Sequence, residues 1–372
     1  MKIGIDIFGG NAGKSGIGLY FVSIIKNFPK EISHDIEFFG CAADRFRFDK
    51  DSKYKYFELP MKDGSFIEKL WHIFSFPAFV KKQQYDVVLY NVGANITPFV
   101  GNAKGVAVVQ EIISKSIKKA DNIFIKKSLI SSLKKATRII ATSQFVRKDL
   151  ISLGIQSEKI DVIYNGLDHS YFYPHADLEN ETVLVYPFSI KRPYFIYATR
   201  LSDKDKKHVE LIKAFSIFKQ KTGLPHRLVL AGSDGDYSKE IHKAVLNSPF
   251  KTDIFLTGYF LHQNLPELYS CADACIIPSI LEGVGLSVVE AMATGIPVLC
   301  AKAGALPEVA GECALYFNPD DIEELANLMI KITEDKKLRK KLICDGLDKV
   351  KRYSWEKTTI KTFEILENVA KE

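Results

Sequence analysis

The chain opens on an apolar run at residues 2–8, followed by a glycine-rich loop to Gly18 and a helical period beginning near Leu19. Further short apolar runs of strand type fall at 86–90, 105–109, 138–142 and 160–164, each separated by enough sequence for a helix. After a break the same rhythm resumes at 194–198, 227–231, 254–257, 274–278, 297–300 and 314–317. Such alternation predicts an α/β protein with parallel sheets wrapped by helices. Between Asp168 and Pro193 the pattern lapses, with Pro174, Pro187 and Pro193 and no helical period, which predicts a linker. The expected organisation is a Rossmann-like N-terminal domain at 1–168, a linker at 169–193 and a second Rossmann-like domain at 194–353, followed by a last helix at 354–372. In doubly wound sheets the ligand crevice lies beyond the carboxyl ends of the strands. Two facing domains of this kind would hold a ligand in the cleft between them.

A length of 372 residues suits two domains of ordinary size. No apolar run approaches the roughly 20 residues of a membrane-spanning helix, and Asp6 interrupts the stretch that could imitate a signal peptide. A cytoplasmic location is expected. The six cysteines, at 41, 271, 275, 300, 313 and 344, sit mostly in apolar surroundings without metal-ligand spacing and read as buried free thiols. The net charge of +6 is unevenly divided, since residues 1–170 carry 25 Lys and Arg against 17 Asp and Glu. Much of that excess lies in 115–135, where lysines alternate with Ile, Leu and Phe. This segment reads either as an adhesive for an anionic membrane surface or as an ordinary helix with a solvated lysine face. Nucleic acid is not expected as a partner, because no recognition motif accompanies the charge.

Candidate chemistry concentrates between Ser279 and Gly295, which reads Ser-Ile-Leu-Glu-Gly-Val-Gly-Leu-Ser-Val-Val-Glu-Ala-Met-Ala-Thr-Gly. A strand, a glycine loop and a helix follow one another there. Free backbone N–H groups and the positive end of a helix dipole favour a diphosphate, and glycine lets the backbone approach it closely. Glu282 at the loop can accept hydrogen bonds from sugar hydroxyls, while Glu290, two turns into the helix, is placed for the two hydroxyls of a ribose. The spacing and its flanks resemble the Glu-x7-Glu motif of retaining glycosyltransferases of the GT-B fold, in particular glycosyltransferase family 4, which usually has Phe where Val284 stands. The resemblance implies that Glu282, Gly283, Val284, Gly285, Leu286 and Glu290 bind a nucleotide diphosphate sugar.

Other motifs extend the likeness. The loop 9–18 resembles the family's Gly-Gly…Ser-Gly-Ile-Gly-x-Tyr loop, which makes Gly16 the residue expected to touch the donor phosphates. The spacing argues against a P-loop there, because Gly-x4-Gly-Lys requires glycine where Phe8 sits. The stretch from Tyr197 to His208 resembles the family's strand ending in Gly-Arg-Leu-Ser, followed by Lys and a helix; Thr199 replaces that Gly, and one extra residue separates Arg from Lys. Arg200 and Lys206 are thereby expected to clamp the diphosphate, with Lys204 and Lys207 as alternative phosphate partners. Two fixed cations suit a reaction that leaves negative charge on a departing nucleotide diphosphate, without a metal. Asp234-Gly-Asp236 imitates a metal site but follows a strand where the family has a plain glycine turn. Asn165-Gly166-x-Asp168 resembles a structural turn ending the first domain, and 303–311 a wall behind the donor.

One departure stands out. Where many relatives have His-Asp after a first-domain strand, this chain has Gln110-Glu111. Gln110 can donate and accept hydrogen bonds but carries no proton at neutral pH. The resulting reading is a retaining glycosyltransferase with candidate catalytic residues Glu282, Arg200, Lys206 and Gln110 and no cofactor beyond its nucleotide sugar substrate. The first donor implied is GDP-mannose, and the acceptor a glycan or lipid-linked glycan of surface polysaccharide synthesis. The alternatives are a non-catalytic nucleotide-sugar-binding subunit and a GT-B epimerase.

Overall fold

A computed structural model describes residues 1–10, 16–28, 34–48, 54–62, 64–92, 103–119, 123–175, 182–185, 188–260 and 264–372. The chain divides into two compact units, Met1–Gly166 with Ser354–Glu372, and Leu167–Tyr353. In the first, β1 (Lys2–Asp6), β2 (Asp35–Gly40), β3 (Lys55–Glu58), β4 (Val87–Asn91), β5 (Gly105–Val109), β6 (Arg138–Ala141) and β7 (Ile160–Val162) form one sheet. Its order is β3-β2-β1-β4-β5-β6-β7, and the pairs are parallel. The order reverses between β1 and β4. β5 is buried along its whole length, as expected of a parallel strand covered on both faces.

Two apolar layers cover this sheet. One joins Tyr20, Phe21 and Ile24 of helix Gly16–Lys26 to Trp355, Phe363, Leu366 and Val369 of helix Trp355–Lys371. The last helix is thus an integral part of the first unit. Its start presses on the turn Asn165-Gly166, where a Cβ on Gly166 would lie 2.1 Å from the Trp355 nitrogen. Only glycine admits that approach. The other layer includes Phe76, Val80, Leu129, Leu133, Val146 and Leu150. Leu129 and Leu133 belong to helix Ile123–Lys135, so apolar positions of the basic segment 115–135 are used inside the unit. Those two buried leucines are what an ordinary helix with a solvated lysine face requires; residues 120–122 lie outside the described residues.

In the second unit, β10 (Tyr194–Ala198), β11 (Arg227–Ala231), β12 (Ile254–Gly258), β13 (Ala274–Ile277), β14 (Val298–Ala301) and β15 (Ala314–Phe317) form a parallel sheet. The order is β12-β11-β10-β13-β14-β15, with its reversal between β10 and β13. The stretch 169–193, expected as a linker, falls within this unit and contains an antiparallel pair, β8 (Thr182–Val185) and β9 (Phe188–Lys191). Prolines had masked these strands: Pro187 lies outside the described residues, and Pro193 stands after the pair rather than within it.

Candidate functional site

The reversal of strand order in the second sheet places the carboxyl ends of β10 and β13 side by side, and the candidate residues leave from those ends. Arg200 follows β10 and is exposed, with no ion-pair partner among the described residues. Beyond it, Asp203 caps a single 3-10 turn, Lys204–Lys206, by accepting from the Asp205 N–H. The Lys206 Nζ then reaches Glu282 Oε1 at 2.5 Å, both side chains being largely buried. Two residues expected to touch different parts of a donor are therefore bonded to each other.

The neighbouring lysines divide sharply. Lys207 takes the left-handed conformation that turns the chain into helix His208–Thr222, and its ammonium is held by Glu210 at 3.2 Å and Asp320 at 3.0 Å. It is committed to carboxylates. Lys204 is exposed. Among the three lysines, Lys206 is the one joined to the glutamate loop.

That loop is fixed by its backbone. Ile280 donates its N–H to Asp205 O, tying the two strand-end loops together, and Ala305 donates to Glu282 O at 2.8 Å. Gly304, at φ +60°, lies so close that a Cβ would stand 2.7 Å from Glu282 O. Sequence reading assigned 303–311 to a wall but missed that Gly304 sets the position of Glu282. Gly285, at φ +75°, starts helix Leu286–Ala293. Glu290 is the fifth residue of that helix, just over one turn in rather than two, and is buried. Gly283, Val284 and Leu286 are half-buried between the two glutamates.

His208 begins its helix with both ring nitrogens buried and without hydrogen-bond partners among the described residues. Burial, and then the charge of Lys206, push its pKa down from 6.5 to about 4. The ring is neutral at neutral pH and adds no third cation beside Arg200 and Lys206. Beside it, at 4.9 Å between ring centroids, burial and then the charge of Glu282 hold the Tyr197 phenol well above its ordinary pKa. A stability consequence follows for His208. The unfolded chain takes up a proton near pH 6.5 and the folded chain only near pH 4, so this contribution is present above 6.5 and lost as pH falls. Between about pH 7 and pH 5 the loss is about 2 kcal/mol by linkage. Urea unfolding at the two pH values should show that much less pH dependence in His208→Leu; an unchanged dependence would refute the buried neutral ring.

In the first unit, Gly16 and Gln110 come together at the carboxyl ends of β1 and β5. A Cβ on Gly16 would lie 3.5 Å from Gln110 Oε1. Gly16 is exposed, whereas Gln110 is buried with its Nε2 unpartnered among the described residues. The amide is thus held beside the glycine loop with an unused donor. Residues 11–15 of that loop, including Lys14, lie outside the described residues. The Asp234-Gly-Asp236 turn is structural: Asp234 meets His242 at 3.0 Å, and Gly235 packs where a Cβ would meet Ser202. Among the described residues no cluster of His, Cys, Asp and Glu is arranged to hold a metal ion, and no helix is long and apolar enough to cross a membrane.

Comparison with known proteins matches residues 14–171 to the family described as Glycosyltransferase Family 4 and residues 185–347 to Glycosyl transferases group 1. The O-antigen chain mannosyltransferase B of Escherichia coli is 28% identical over 241 residues, covering 64% of this chain and 62% of that protein. The sulfoquinovosyl transferase of Arabidopsis thaliana is 26% identical, covering 63% of this chain and 45% of that protein. The chain thus spans between about half and three fifths of the length of these curated relatives. The solved structure of HepE from Anabaena in complex with UDP and glucose shares the fold at a TM-score of 0.76 and 20% identity, covering 99% of this chain and 100% of that one.

Proposed function

We propose that this chain, a GT-B protein resembling glycosyltransferase family 4, moves a hexose from a nucleotide diphosphate sugar to a hydroxyl of a glycan or lipid-linked glycan, with retention at the anomeric carbon. The observation that carries the reading is the Lys206–Glu282 contact at the strand-order reversal of the second sheet, where ligands of doubly wound folds bind. Arg200 and Lys206 meet the charge that develops on the departing diphosphate, and the 283–286 backbone supplies N–H groups to it. Glu282 orients sugar hydroxyls and Glu290 the ribose. The departing phosphate, rather than a protein base, takes the acceptor proton, and the fixed cations serve in place of a metal. Similarity to an O-antigen mannosyltransferase supports mannose from GDP-mannose as the first donor and surface polysaccharide as the product class. A lipid-linked acceptor would put the proposed reaction at the cytoplasmic face of the membrane.

The test is thermal stabilisation by UDP-, GDP-, ADP- and dTDP-sugars and their bare diphosphates, since a ligand binding only the folded state raises its apparent stability. The GDP series should respond, and Glu290→Ala should weaken that binding by about 1–3 kcal/mol, the scale for hydrogen bonds to a charged group. Response to no nucleotide would remove the donor site. Selective binding without transfer to any hydroxyl acceptor would favour a non-catalytic donor-binding subunit.

A further inference from the structure

Along residues 66–83 the ordinary placement of polar and apolar side chains is reversed. Helix Phe66–Leu70, one π-helical turn Trp71–Ser75 and helix Phe76–Gln83 follow without a break in helical backbone. Glu68, His72, Phe76 and Val80, four residues apart, are buried. Charge therefore points inward: the Glu68 carboxylate accepts the Gly64 N–H, and His72 bridges the Glu68 backbone carbonyl and the Asp6 carboxylate, each at 3.0 Å. The opposite face is apolar and open, with Phe66 74%, Ile67 67%, Leu70 39% and Phe74 73% exposed. A step of four residues drifts by about 40° in an α-helix, and the wider π turn takes part of that drift back. Phe66, Leu70 and Phe74 consequently stay in one stripe.

Single exposed apolar side chains are ordinary, but four large ones on consecutive turns form a patch that calls for a covering surface. The charge around it selects that surface. From Lys62 to Gln84 the exposed charged side chains among the described residues are Lys62, Lys81 and Lys82, with Lys69 half-buried; of the two acids in the stretch, Glu68 is buried and Asp63 lies outside the described residues. We propose that this face docks on an anionic lipid surface, with Phe66, Ile67, Leu70 and Phe74 entering the headgroup–acyl boundary and the lysines meeting lipid phosphates. In the basic segment 115–135, by contrast, Leu129 and Leu133 are buried in the core. The inference rests on the exposed face and does not require the glycosyl-transfer reading.

The full chain should co-sediment with phosphatidylcholine vesicles containing phosphatidylglycerol, and more weakly with phosphatidylcholine alone. The double variant Phe66→Ser/Phe74→Ser should lower the partition coefficient at least about tenfold, given the apolar area withdrawn, with the unfolding midpoint unchanged or raised. Lys81→Gln/Lys82→Gln should flatten the salt dependence. Absence of wild-type partitioning, or equal partitioning of the phenylalanine double variant, would overturn the proposal. So would self-association of the wild type that the double variant abolishes, since a second copy would then be what covers the face.

Discussion

Replacing Lys206 with alanine is expected to lower kcat/KM by about 10²- to 10³-fold, the scale for removing one preorganised partner of developing charge. Two losses combine. The ammonium stands 2.5 Å from Glu282 Oε1, with the side chains 23% and 19% exposed, so both charges sit in a medium poorer than bulk water. An ammonium has three donors, enough to hold Glu282 with one and donate to a departing phosphate with the others. Alanine removes the cation and also releases the carboxylate that is to orient the sugar. The two residues should therefore act as a unit. Lys206→Ala and Glu282→Gln are expected to be non-additive in kcat/KM, with a coupling of about 1–3 kcal/mol, whereas unconnected residues add. Lys207→Ala serves as the contrast, because its charge is already taken up by Glu210 and Asp320. If Lys206→Ala lowers the unfolding midpoint but leaves kcat/KM within about threefold, the pair is an ordinary structural ion pair and Lys206 leaves the transfer site.

Gly304→Ala is expected to destabilise the chain by about 2–4 kcal/mol and to weaken donor binding with it. The residue has φ +60°, and its added Cβ would lie 2.7 Å from Glu282 O and 2.9 Å from Glu282 N. These are backbone atoms. A flexible side chain could swing away, but the Glu282 peptide is held by the Ala305 N–H at 2.8 Å and can yield only by moving the glutamate. Gly223→Ala provides the measure of conformation alone, since its φ is +65° and nothing lies within 4 Å of its Cβ position. That variant should lose only about 1–2 kcal/mol, the cost of a left-handed residue with a Cβ. Urea unfolding of both, with nucleotide affinity measured alongside, checks the account. Equal destabilisation of the two, with donor binding untouched, would show that Gly304 does not position Glu282.

Strands that depend on period and length alone were legible from the sequence. The expected runs 194–198, 227–231 and 314–317 coincide with β10, β11 and β15, and most others lie within a residue or two of the observed ends. β2 was missed because its centre carries Glu37, which an apolar-run reading penalises. In the fold that carboxylate is buried and joined to Lys55 at 2.6 Å and Lys2 at 3.2 Å, partners that lie outside the strand itself. β8 and β9 were hidden by the surrounding prolines.

The sequence by itself determined the alternation of strands and helices, the two doubly wound sheets and the glycine loop between two glutamates eight residues apart, because backbone period and spacing along one chain are local properties. Tertiary structure decided which of three lysines meets Glu282 across 76 positions, that His208 stays neutral, and which face of residues 66–83 is left open. Those outcomes depend on which surfaces meet and how much water each charge keeps, and neither quantity is written in local spacing.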